Sequence, residues 1–112
     1  MSTAFGPPTL RAGSRDDAQE LAELMARSKS VAMPWLPVLH TPSEDIAYLD
    51  RVLTTVEVVV AVDSADAALG FCAVDRATKV VDHLYVDPSQ RRRGIGSALL
   101  ATCAVARLNR WN

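Results

Sequence analysis

Residues 80–107 constrain the fold more than any other part of the chain. They run from Val80-Val81-Asp82-His83-Leu84-Tyr85-Val86, a strand-forming stretch, into Asp87-Pro88, which stops it. Arg91-Arg92-Arg93-Gly94-Ile95-Gly96 follows, and then an apolar helical pattern over 97–108. A strand that feeds a helix across a short glycine-bearing turn packs that helix back on its own sheet. The chain is therefore a mixed α/β domain.

The remaining elements agree with this reading. Thr9 to Ala12 reads as a short strand. Ser14-Arg15-Asp16-Asp17 reads as a helix start, with Ala18, Leu21, Ala22, Leu24 and Met25 on one face of a helix over 15–28. Pro34, Pro37 and Pro42 exclude a long element between residues 30 and 42. Thr41-Pro42-Ser43-Glu44 is a capping box that opens a second helix, 42–54, whose inner face holds Ile46, Leu49, Val52 and Leu53. The valine run 58–62 and the stretch 69–75 predict two further strands. The expected order is β-α-α-β-β-β-α, an α/β (α+β) fold with a mostly antiparallel sheet in a single domain over residues 1–112. The last helix is expected to be buried on more than one side, because it is apolar almost all round.

Composition bounds the function. The chain has 112 residues, 49% of them hydrophobic, which fits a globular domain rather than a disordered one. No apolar run is long enough to cross a bilayer, and no secretory signal is visible, so no membrane partner is expected. Cys72 and Cys103 fit a reducing cytoplasm, where they serve as small apolar residues. All 13 acidic residues precede Pro88, whereas five of the 12 basic residues follow it. A basic spot at the end of an acidic chain suggests one local anion site and argues against a nucleic-acid surface.

The segment at Arg91 to Ser97 has the chemistry of such a site. The first amide hydrogens of a helix have no intrahelical acceptor, and the peptide dipoles make that end positive. Glycines let a phosphate come close to the backbone, and arginines add charge and paired donors. The Walker pattern is excluded because Gly-Lys occurs nowhere. The dinucleotide pattern fails where Leu99 stands in place of a small residue.

Leu84-Tyr85-Val86-Asp87-Pro88, followed by Arg91-Arg92-Arg93-Gly94-Ile95-Gly96 and Ser97-Ala98-Leu99-Leu100, resembles the Gcn5-related N-acetyltransferase family. The resemblance extends over residues 9–107. It implies acetyl-CoA as cofactor, with 80–107 as the cofactor-binding part. Backbone groups of Leu84, Tyr85 and Val86 would pair with the pantetheine arm. The charges of Arg91, Arg92 and Arg93 and the amides of Arg92, Arg93, Gly94, Ile95, Gly96 and Ser97 would hold the pyrophosphate. The reaction would be direct attack of an amine, from a small molecule or a protein, on the thioester. No metal is called for.

Candidate bases lie on the strand itself. Simple alternation puts Val80, Asp82, Leu84 and Val86 on one face and Val81, His83 and Tyr85 on the other. His83 titrates near neutral pH and is the preferred base, while Asp82 needs a raised pKa to serve. Trp35 and His40 lie where the family lines its acceptor pocket. Each has a simpler structural reading: His83 as a packed histidine, Asp82 as a solvated acid, Trp35 as a loop anchor.

The family domain continues through a further strand, a helix and a hairpin, which residues 1–112 lack. That helix supplies the family's proton donor to the leaving thiolate. An open strand edge and an apolar helix face are then expected to drive homodimerisation, or to make the chain an unstable fragment. The rival functional expectation is a non-catalytic module that holds CoA or dimerises without turnover.

Overall fold

The computed structural model describes residues 8–75, 77–78, 80–90 and 93–111. Strand β1 is Thr9–Ala12, followed by helices α1 (Ala18–Ala32) and α2 (Pro42–Thr55). Strands β2 (Glu57–Val62), β3 (Ala68–Val74) and β4 (Val81–Val86) come next, then helix α3 (Ile95–Trp111). The four strands form one antiparallel sheet in chain order. The element order is the one expected, and the differences lie at element ends. A 3-10 turn at Arg15–Asp17 precedes α1, which continues to Ala32 because no breaker intervenes before Pro34. Thr41 caps α2: its hydroxyl accepts from the Glu44 amide, and Glu44 accepts from the Thr41 amide.

The sheet separates two apolar layers. On one face, Leu21, Leu24 and Met25 of α1 and Leu49 and Val52 of α2 pack with Val58, Val60, Phe71 and Ala73. On the other, Ile95, Leu99 and Cys103 of α3 cover Ala61, Cys72 and Val74. That α3 stripe has helical spacing, and Leu100 beside it is 42% exposed. Over residues 95–103 α3 thus buries one face, not several as its composition suggested, because the sheet lies on one side of it. Cys72 and Cys103 are free thiols in this layer with sulfurs 3.1 Å apart. Burial pushes the Cys72 thiol up to about 12, which fits an inert packing role. Among the described residues, no helix is long and apolar enough to cross a membrane.

Two features fix the junction of β4 and α3. A Cβ at Gly70 would sit 2.8 Å from the Tyr85 carbonyl oxygen and 3.3 Å from Ile95 Cγ2, so glycine is what lets the start of α3 settle onto β3 and β4. Arg27 of α1 donates to Asp87 at 2.7 Å, tying the other layer to the end of β4.

Candidate functional site

The pairing of β3 with β4 slips once. Val74 lies opposite Val81, whereas the preceding residue of β3, Ala73, lies opposite His83. Asp82 is the extra residue of a β-bulge, and a bulge turns neighbouring side chains toward one side. This corrects the alternation expected from the sequence. Val81 packs with Leu84 and Val86 in the α3 layer instead of sharing a face with His83 and Tyr85. Asp82 leaves the Leu84 and Val86 face and borders the same hollow as His83.

That hollow is an open groove of about 460 Å³. Tyr48, Arg51, Val52 and Thr55 of α2 form one wall, and Asp82 and His83 of β4 form the other. Tyr48 Oη lies 2.6 Å from His83 Nε2, and the two rings meet edge to face with centroids 5.6 Å apart. His83 also stacks on Tyr85 at 6.0 Å, and Tyr85 packs on Phe71 at 5.6 Å. The imidazole is therefore clamped between a core aromatic and a phenol. Burial lowers its pKa below the ordinary histidine value; the Asp82 charge opposes this and the Lys29 charge adds to it. A neutral imidazole at physiological pH can accept a proton. Burial raises the Tyr85 phenol.

The second part of the site is the turn after β4. Gly94 has φ +75°, a left-handed conformation that glycine adopts without strain, and a Cβ there would meet nothing within 4 Å. The Ala98 amide donates to the Gly94 carbonyl at 3.0 Å, which makes it the first intrahelical donor. The amides of Ile95, Gly96 and Ser97 precede it and have no intrahelical acceptor. The Ile95 side chain is buried in the core, so its backbone is what it offers to a ligand. Arg93 is exposed and donates to Gln90 Oε1. Arg91 and Arg92 lie outside the described residues.

Strand β4 is the edge of the sheet among the described residues. The Asp87 amide donates to the Leu69 carbonyl at 2.8 Å, and in an antiparallel ladder every second residue faces the same way. Tyr85 therefore directs its backbone groups to Phe71, and its carbonyl oxygen indeed lies against Gly70. Leu84 and Val86 present theirs to the open edge. Of the three residues expected to offer backbone groups to a ligand, two face outward.

The structure brings Asp82 and His83 together at one end of β4 and Gly94, Ile95, Gly96 and Ser97 at the other. Trp35 and His40 stand in the exposed segment between α1 and α2, with Trp35 73% exposed, and neither borders the groove. Sequence reasoning missed Tyr48 and Arg51. Their only signal was their position on α2 outside its apolar stripe, which any solvated residue shares. Among the described residues, no group of His, Cys, Asp and Glu is placed to hold a metal ion.

The model of the acetyltransferase (GNAT) domain matches residues 54–112, which contain β2 to α3 and the turn at Gly94. The chain belongs to the GNAT acetyltransferase family. Solved structures agree on the fold of this GNAT chain. The GCN5-related N-acetyltransferase structure from Rhodopseudomonas palustris matches with a TM-score of 0.79 at 19% identity, covering 100% of this chain and 72% of that one. The PaiA N-acetyltransferase of Thermoplasma acidophilum, solved in complex with coenzyme A, matches with a TM-score of 0.74 at 16% identity, covering 98% and 74%. YjaB of Escherichia coli matches with a TM-score of 0.71 at 22% identity, and there this chain spans 65% of the other's length. No match was found among curated proteins.

Proposed function

We propose that this GNAT chain binds acetyl-CoA along β4 and the start of α3 and acetylates an amine seated in the groove beside His83. The observation that carries the proposal is the junction at Gly94. There a left-handed glycine with open space around it leads into three helix amides that have no intrahelical acceptor. Such a junction fits a diphosphate, because donors and dipole converge there and Gly94 itself carries no side chain. The amides of Ile95, Gly96 and Ser97 would hold that group, and Leu84 and Val86 would pair with the amide-bearing arm as an added strand does. Arg91, Arg92 and Arg93 would add positive charge beside it.

Bound acetyl-CoA supplies the acetyl thioester. The protein's share is orientation and proton transfer. An acceptor arrives as an ammonium, and a neutral His83 takes its proton, leaving the nitrogen lone pair free. Tyr48 holds the imidazole through Nε2. Asp82 opposes the loss of basicity that burial causes and stabilises the imidazolium once it forms.

Two measurements on the same protein test the reading. Titration calorimetry with CoA should show saturable binding, and a free-thiol assay with acetyl-CoA and a panel of primary amines should show turnover. Binding without thiol release from any amine would leave a module that only holds CoA. Absence of both would overturn the assignment of the Gly94 junction.

A further inference from the structure

We propose that the acceptor is a small zwitterion, an amine that carries a carboxylate, as in an amino acid. This rests on the groove being the acceptor site. The argument starts from charge pairing. Arg11, Arg15 and Arg27 each hold a carboxylate at 2.9, 2.9 and 2.7 Å. Arg51 has no acidic partner among the described residues, and its guanidinium lies 5.8 Å from the Tyr48 ring that walls the groove. Asp82, on the opposite wall, likewise has no hydrogen-bond or ion-pair partner among the described residues. The two border one hollow yet are not paired with each other.

A groove with a guanidinium on one wall and a carboxylate on the other, neither of them ion-paired among the described residues, is complementary to a molecule bearing both charges. The ammonium belongs at Asp82, which places its proton beside the His83 imidazole. The carboxylate belongs at Arg51, whose planar fork matches it with two donors. Val52 contributes apolar surface to the same groove. A simple alkylamine would leave Arg51 unmatched, and a polyamine would bring a second cation against it. The bulge supports this assignment, since without it Asp82 and His83 would face opposite sides of the sheet.

The test compares α-amino acids with their own amides, for example phenylalanine with phenylalaninamide, which keep the amine and remove the negative charge. Binding to the full chain with CoA present is followed by NMR, and acetylation by thiol release. The acid should bind and react better than the amide by about tenfold or more, the worth of a charge-assisted pair. Arg51→Gln should bring that ratio near one, and Arg51→Lys should restore part of it. A ratio near one in the unaltered protein, or one that Arg51→Gln does not move, overturns the inference. Failure of the functional reading looks different: no thiol is released with any amine and CoA does not bind. Amino-acid binding alone, measured without CoA, then still decides the question of the groove.

Discussion

The two ends of β4 build their sites from different materials. At the Val86 end the groups proposed to hold the cofactor are amides of the backbone, fixed by a glycine turn and the first turn of α3. At the His83 end they are side chains gathered from α2 and β4, and their positions depend on how a helix packs over a bulged strand. A site made of main chain tolerates many side chains but few changes of backbone. A site made of side chains can be altered one residue at a time. On the proposed reading, cofactor recognition and acceptor choice can change independently.

Substitution should separate the two ends. The largest effect is expected at Gly94→Asp. Nothing lies within 4 Å of the Cβ position, so the cost in stability is that of a side chain at φ +75°, about 1–2 kcal/mol, partly offset by a carboxylate at a helix start. The variant should melt modestly below the parent yet stay folded, and lose CoA affinity by about 100-fold or more, since a fixed negative charge would stand where the diphosphate is proposed to sit. Calorimetry that finds CoA binding intact would remove the turn from the site. His83→Ala should do the converse, sparing CoA binding and lowering turnover at neutral pH by about 100-fold, as loss of a general base does. Equal losses in both measurements would show that the two ends do not act separately.

The smallest effect concerns acidity. The His83 pKa lies below its unfolded value of 6.5, first through burial, then through Lys29, with Asp82 opposing. The folded protein thus binds this proton more weakly than the unfolded chain does. The contribution to stability is present above pH 6.5 and is lost as pH falls through the lower, folded value. Melting of the parent should drop more between pH 7.5 and 5.5 than melting of His83→Gln; parallel drops would show that the imidazole is not held in its neutral form.

The same contrast governs what could be read from the amino-acid order. Gly94, Pro88 and the helix pattern after them were legible because local backbone preferences set them. The β-α-α-β-β-β-α order was legible for the same reason, through the Thr41-Glu44 cap and the valine runs. Val81 was assigned to the wrong face because strict alternation assumes an unbroken ladder, and nothing in Val81-Asp82-His83 announces a bulge. Tyr48 stayed hidden because its partner His83 is 35 residues away, and only packing of α2 against the sheet joins them. The one-sided burial of residues 95–103 was equally a matter of what lies beside the helix rather than of its own composition.

The single surplus residue in β4 has a reach beyond its size. It acts as a phase shift: upstream of it the ribbon keeps one parity of side chains, downstream the opposite parity. Removing Asp82 would restore an even ladder with Val81 still opposite Val74 and His83 opposite Ala73, and would take one carboxylate out of the groove. Relatives of this chain with and without that surplus could carry the same cofactor turn while presenting unrelated chemistry to their acceptors.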